Sequence, residues 1–291
     1  MPSAKIIYQS ATTWLARAMN SVLSALKIVL VSKRAPELSN LKNQDASRCV
    51  VLGSGPSLKE TMTLHGRASN TSYLAVNTFV FSDYFERMKP EYYVILDPGM
   101  WMADSELPVK VLDMLKTKTQ WRMHLLVPHS ARKSTFIQEL LKHPHIQVQF
   151  VNYVVCKGFK AVMHYFFRRN LAMPQSQNVL VAALFLATNI GYKDIELWGA
   201  DHDWHKTLFV DEKNVVCVKQ VHFYENEQDV KYVPFYKGLH SNETFRMDEI
   251  FFAWAKVFYG YHVVRDYAKS CGTIIHNATP GSFVDAFERR K

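Results

Sequence analysis

Apolar positions recur along the chain in two periods. From Arg48 onward, short continuous apolar runs alternate with stretches of helical spacing. The runs at 49–52, 73–76, 92–96, 122–127, 146–151, 195–198 and 273–277 read as strands, the first with the continuous apolar signature of a buried parallel strand. Helical spacing covers 79–88, 107–118, 134–142, 178–190 and 243–259, with shorter helices expected at 263–270 and 283–289. The stretch 178–190 is apolar on most sides, with Asn178 able to cap its start. Regular alternation of strand and helix predicts an α/β fold, a doubly wound, mostly parallel, Rossmann-like sheet. The polar, aromatic segment at about 206–236 interrupts the alternation and reads as a small inserted lid or acceptor subdomain. The stretch 157–171 is aromatic and basic; it fits a mobile lid, a membrane-facing surface or a core helix with a solvated basic face.

Residues 1–35 have a different character. Trp14, Leu15, Met19, Val22, Leu23, Leu26 and Ile28 to Val31 form a broad apolar face at helical spacing. Lys5, Arg17, Lys27, Lys33 and Arg34 supply the charge, and no acidic residue precedes Glu37. Arg17 and Lys27 interrupt the run before ~18 apolar residues accumulate, which argues against a transmembrane span. No cleaved signal peptide is expected, because the apolar stretch starts late and lacks a cleavage signature. Two readings stand. One is a basic amphipathic helix on an anionic membrane surface. The other is a helix packed on the body or on a second subunit, which would make the protein a homo-oligomer. The polar stretch 36–47 reads as a linker, so a body of 48–291 is expected.

Within that body, Gly53-Ser54-Gly55-Pro56-Ser57 follows the first strand directly. Glycines there permit a tight turn, and Pro56 and Ser57 suit the first turn of a helix. Strand, Gly-x-Gly and helix N-terminus together form the usual seat for a phosphate or nucleotide. The loop lacks the Lys-Ser/Thr of a Walker A motif and the third glycine of a dinucleotide fingerprint. A plain tight turn therefore competes with the ligand reading. Asn77 and Asp97 end the next two strands, where open α/β sheets bind ligands, or where such residues cap the following segment.

A second concentration of chemistry follows the strand at 195–198. Gly199, Asp201, His202, Asp203 and His205 crowd one loop. Asp201 and Asp203 could hold Mg²⁺ or Mn²⁺; metal-free contact with a nucleotide, sugar or leaving group is the competing reading, beside a plain hydrogen-bonded loop. His240 precedes the helix at 243–259, as a loop imidazole able to act as general base near neutral pH or as a surface or capping residue.

Composition narrows the partners. The 291 residues are 48% hydrophobic and 13% aromatic, which excludes a disordered chain. The net charge of +9 suits an anionic substrate or membrane surface. Without a long basic run or a zinc-finger or RNP pattern, no nucleic-acid partner is expected. Cys49, Cys156, Cys217 and Cys271 share no metal or disulfide spacing, which fits a reduced cytoplasmic setting.

Three segments carry a family resemblance: Leu52-Gly53-Ser54-Gly55-Pro56-Ser57-Leu58-Lys59, the stretch from Ile190 to Asp201, and His240-Ser241. In this order they resemble the bacterial sialyltransferases of glycosyltransferase family 42. They also resemble the wider group of flagellin-modifying motility accessory factors and archaeal-type hydroxymethylpterin pyrophosphokinases. The resemblance implies a GT-A-like variant of the Rossmann fold and inverting, metal-independent transfer from a CMP-activated sugar. It places Ser54, Gly55 and Ser57 at the nucleotide phosphate and Asn77 near the nucleotide sugar. Asp97 stands where the family has another asparagine. Asp201 matches a loop aspartate facing the donor, and His240 matches the general base. The family's tyrosines after the Asp201 position are replaced by Asp203, Trp204 and His205, so His205 or Trp204 would stabilise the leaving phosphate. Ser176 to Val179 replaces the family's Arg and Thr-Ser region, which opens the donor to other sugars such as Kdo.

The expectation is a glycosyltransferase with Gly53, Ser54, Gly55, Ser57, Asn77, Asp97, Asn178 and Gly199 at the nucleotide and His240, Asp201 and His205 in catalysis. It would need no metal cofactor. It would use a nucleotide-sugar donor and a glycan or lipid-linked acceptor in lipopolysaccharide or capsule assembly, peripherally on the cytoplasmic side of the inner membrane. The alternatives are an Mg²⁺-dependent pyrophosphokinase with Asp97, Asp201 and Asp203 as metal carboxylates, and a non-catalytic nucleotide-binding or scaffold protein.

Overall fold

Side chains along each strand alternate between two cores. In the computed structural model, which describes residues 4–34, 37–102, 105–220, 231–238 and 241–290, Cys49 and Val51 of strand β1 (Arg48–Leu52) enter one core, and Val50 and Leu52 the other. The same alternation holds in β2 (Thr71–Val76) and β3 (Tyr92–Val94). With β4 (Met123–Pro128), β5 (Ile146–Val151), β6 (Asp194–Trp198), β10 (Ile274–Asn277) and β11 (Glu288–Arg289), they form one eight-stranded sheet. Its order is β11-β10-β6-β1-β2-β3-β4-β5, and every neighbouring pair is parallel. The central strands β1 to β3 have core on both faces and are almost wholly buried, whereas the edge strand β5 alternates, with Gln147 and Gln149 less buried.

Helices cover both faces. On one lie α2 (Leu58–His65), α3 (Tyr84–Met88), α4 (Gly99–Met102), α5 (Glu106–Lys118) and α6 (Thr135–Leu140), which contribute Met62, Phe85, Met100, Val111 and Ile137 to the core. On the other lie α7 (Lys160–Arg168), α8 (Val179–Ile190) and α9 (Met247–Ser270). Helix α8 is buried along almost its whole length and is capped by Asn178, whose side chain accepts the Leu180 N–H at 2.8 Å. Helix α7 is a core helix with a solvated basic face: Met163 and Phe167 are buried, while Lys160 and Arg168 are exposed and bond to Asp266 and Ser270 of α9.

The N-terminal segment forms one long helix, α1 (Ala4–Val31). By length and composition its stretch Ala11–Val31 could cross a membrane, the one such helix among the described residues, although Arg17 and Lys27 lie within it. The stretch read as a linker is fastened to the body. Leu38 is buried, and the Tyr92 hydroxyl donates to the Leu41 carbonyl and accepts the Asn43 N–H. The insert forms an antiparallel sheet of β7 (Leu208–Val210), β8 (Val216–Gln220) and β9 (Lys231–Pro234).

Two expectations need correction. The helices expected at 243–259 and 263–270 are one continuous helix, α9. Gly260 lies inside it because a side chain would collide with the neighbouring backbone. A Cβ there would stand 2.8 Å from the Gln175 carbonyl oxygen and 3.1 Å from Val181. The expected helix at 283–289 is absent. After β10 (Ile274–Asn277), the Asn277 side chain bonds Ser282 and Val284, and the Arg289 guanidinium donates to the Thr279 and Ser282 carbonyls. These bonds hold the chain extended, and β11 (Glu288–Arg289) pairs with β10 instead.

Gly260→Ala tests the close approach. Alanine gains up to about 1 kcal/mol in helix propensity, but overpacking against fixed backbone costs about 1–3 kcal/mol. The clash is expected to prevail, and the urea midpoint should fall at unchanged m-value.

Candidate functional site

The sheet reverses direction at β1. Its next strand, β2, lies on one side and β6 on the other, so the β1/β6 boundary is the topological switch point where open α/β sheets take ligands. Leu52 and Trp198 pair at the carboxyl ends of the two strands. The loops that follow are bound to one another. The Gly53 N–H donates to the Trp198 carbonyl at 2.8 Å, and the Gly55 N–H to the Gly199 carbonyl at 2.9 Å. A Cβ on Gly53 would lie 2.2 Å from the Gly199 oxygen, and one on Gly55 would lie 1.9 Å from a carboxylate oxygen of Asp201. These glycines therefore have a packing task that does not depend on any ligand.

Asp201 is half-buried under the start of α2. One carboxylate oxygen accepts the Ser57 N–H at 3.2 Å, and the other accepts the Ser57 hydroxyl at 2.9 Å. Burial raises its pKa, while the two Ser57 bonds pull the other way. The negative charge at this helix start is thus the protein's own carboxylate. The loop after β10 joins the cluster. The Ala200 N–H donates to Thr279 at 3.1 Å, the Ser282 hydroxyl donates to the Ala200 carbonyl at 2.6 Å, and the Phe283 N–H to the Asp201 carbonyl at 2.9 Å. Thr279 and Ser282 carry no distinguishing signal in the sequence beyond standing in a strand-end loop.

The remaining expected residues are spread along the sheet edge. Ser54 is exposed at the crossing of the loops. Asn77 ends β2 in the left-handed region (φ 46°), which asparagine tolerates better than most residues. Its carbonyl accepts the Tyr93 hydroxyl at 2.6 Å, and its side-chain oxygen is buried with no hydrogen-bond partner. Asp97 is exposed and accepts the Gly99 N–H at 2.9 Å. Asn178 is engaged in the α8 cap. His205 is exposed, with its ring edge against Phe283 at 4.5 Å between centroids. His240 lies outside the described residues. On either side of it, Tyr236 and Thr244 form an antiparallel bridge, and the Lys237 N–H donates to the Glu243 carbonyl.

His202, between the two aspartates, anchors the loop. It is buried at φ 54°, bonds the Tyr261 hydroxyl at 2.7 Å and stacks on Trp204 at 4.2 Å. Burial lowers its pKa to about 4. Two other groups at the carboxyl edge, His129 after β4 and Trp101 after β3, also hold a buried side-chain nitrogen without a partner. Unpaired buried polar atoms at a sheet edge are groups a ligand can satisfy. The only hint in the sequence is that His129 sits in the Pro-His-Ser turn closing β4.

The carboxylates fit a metal ion poorly. Asp201 is engaged by Ser57, and Asp203 pairs with Lys206 at 3.4 Å. Asp97 follows β3, three strand positions from β6, or ~14 Å at ordinary strand spacing. Among the described residues, no group of three or more His, Cys, Asp or Glu is disposed to hold a metal.

Fold and loops together define an α/β protein with a Rossmann-like sheet and a stitched switch point. No protein-family model matches the chain, and no curated protein or solved structure shows significant similarity to it.

The buried imidazole of His202 sets an acid limit. Its ordinary pKa of 6.5 in the unfolded chain falls to about 4 in the folded one, so protonation favours unfolding. Its contribution is complete above 6.5 and is lost as pH falls through 4. At full effect the loss is roughly 3 kcal/mol. His202→Asn keeps a residue suited to positive φ. It should be less stable at neutral pH, because the Trp204 stack is lost, yet show a flatter fall between those two pH values in urea titrations.

Proposed function

We propose that the chain is a glycosyltransferase that seats a nucleotide-sugar donor at the carboxyl edge of β1, β2 and β6. A CMP-activated sugar of the sialic acid or Kdo type is the favoured donor. The observation that carries the reading is the stitched switch point, where the Gly53–Gly55 loop and the Asp201 loop are locked together with Ser54 exposed between them. These two segments are also two of the three that resemble the sialyltransferases.

In this reading His240 takes the proton from the acceptor hydroxyl while that oxygen attacks the anomeric carbon. The bond from the sugar to the phosphate breaks, and the electron pair leaves on the phosphate. His205, the exposed imidazole of the Asp201 loop, donates to that departing oxygen. Asp201 holds the loop against Ser57, and Gly53, Gly55 and Gly199 let the loops approach. The sheet is a GT-A-like variant, and the small β7–β9 sheet is the lid or acceptor subdomain. The acceptor is a glycan or glycolipid of surface-polysaccharide assembly on the cytoplasmic side of the inner membrane.

Thermal unfolding with CMP, CDP, UDP, GDP and ATP, each with and without Mg²⁺ or Mn²⁺, tests the donor class. Saturating CMP without metal is expected to raise the melting temperature by roughly 5 °C or more. A shift only with ATP or a nucleoside diphosphate plus metal would overturn the CMP-sugar reading.

His240→Ala tests the base. Turnover should fall about 10²–10⁴-fold, while the CMP-induced thermal shift is retained. Undiminished turnover would remove His240 from the mechanism.

A further inference from the structure

Helix α1 meets the body along a narrow side of small residues, with Ile28 in the core and the Trp14 ring near Phe159. Among residues 11–31, Ser21, Ser24 and Ile28 are the buried ones. The Ser21 hydroxyl accepts the Phe159 N–H at 2.9 Å, and the Ser24 hydroxyl bonds both the N–H and the carbonyl of Lys157. Gly158, between them, lets the helix approach, since a Cβ there would lie 2.1 Å from the Ser21 hydroxyl oxygen. Just past the helix, Ser32 donates to the Leu171 carbonyl at 2.6 Å, and the Lys33 N–H donates to Asn152 at 2.8 Å. At about 100° per residue, Leu15, Met19, Val22, Leu26, Val29 and Leu30 fall on the opposite side. All six are exposed, and Val29 and Leu30 have about four-fifths of their surface open (79% and 81%). An ordinary surface helix turns its apolar face inward; this one turns it outward.

We infer that this outward face lies in the plane of an anionic bilayer leaflet and holds the body against it. The inference is independent of the nucleotide-site reading. Charge selects the occupant. Lys27 lies at the edge of the apolar face and Lys33 and Arg34 follow the helix; all three are exposed, and no acidic residue precedes Glu37. A cationic flank on an apolar face matches anionic headgroups over acyl chains. A second copy of the same helix would bring like charges together. The body contacts decide the orientation. Although Ala11–Val31 is long enough to span, its Ser21–Ile28 side is committed to the loop at 157–159, and a span would have to release it.

The test is flotation of the full chain with vesicles of phosphatidylcholine alone and of phosphatidylcholine with phosphatidylglycerol. The chain should float with the anionic vesicles only, and high salt should release it. Leu15→Gln/Leu26→Gln/Leu30→Gln should abolish flotation. Lys27→Gln/Arg34→Gln leaves the apolar face untouched, so it decides even if the triple variant misfolds; its partition should weaken about 30-fold. Equal flotation with both vesicle types, or with neither, would overturn the inference. So would a doubled sedimentation mass that the triple variant collapses, which would assign the face to a second copy. Resistance of the membrane-bound chain to alkaline carbonate extraction would replace the in-plane helix with a span.

Discussion

The backbone-to-backbone contact between the loops after β1 and β6 is the constraint on which the rest of the site depends. Two N–H groups, of Gly53 and Gly55, reach the carbonyls of Trp198 and Gly199 at distances that leave no room for a Cβ. The contact closes the gap that the reversal of strand order would otherwise open. It also fixes where Asp201 stands, and through Ala200 and Asp201 it fixes the loop after β10. Three strand ends become one rigid rim, built mainly from main-chain groups and small side chains. That rigidity is what a site requires when reacting groups must be held in a narrow range of geometry.

Asp201 is the charged group built into this rim. Hydrogen bonds to a charged acceptor are among the stronger ones, about 1.5–3 kcal/mol each. Two such bonds reach it from Ser57, while burial, with the Asp203 charge, holds its pKa raised. Burial and the neighbouring Asp203 charge oppose the ionised form, and the Ser57 bonds favour it. What it supplies is register, since both oxygens are directed to one residue at the first turn of α2. A similar balance holds at His202, where burial keeps the imidazole neutral so that it can stack on Trp204 and bond Tyr261.

Much of the sheet was legible because burial on both faces leaves little choice of residue. The runs at Cys49–Leu52, Tyr73–Val76 and Ile195–Trp198 are strands, and Asn178 caps α8 as its position suggested. The misses share a cause: they depend on contacts between residues far apart in sequence. Gly260 looks like a helix breaker until Gln175 is seen against it. Residues 283–289 have helical composition, but Asn277, Arg289 and the open edge of β10 draw the chain into extension. The amphipathic pattern of α1 was visible, yet periodicity could not say which face meets the body. The small, polar Ser21–Ser24 side does so because Gly158 and the main chain of Lys157 and Phe159 meet it closely. At the site, Ser57 looked like a phosphate ligand, and its partner Asp201 stands 144 residues away.

That partnership changes how a nucleotide would be held. An anion at the N-terminus of α2 would have to share the Ser57 N–H and hydroxyl with Asp201, and two negative groups at one helix end repel each other. The helix start is therefore a poor seat for the donor phosphate. The edge between β1 and β2 offers different chemistry: an exposed serine, Ser54, and the buried, unpaired side-chain oxygen of Asn77. An amide oxygen accepts hydrogen bonds, so it suits a ribose hydroxyl or a base amine rather than a phosphate. Under the proposed reading, a nucleoside over β1 and β2 would leave its phosphate to exposed His205, since Lys206 is already paired with Asp203. In the proposed glycosyl transfer, the strand end where the glycines lie would hold the nucleoside, and His205 on the loop after β6 would meet the charge that the leaving phosphate gains.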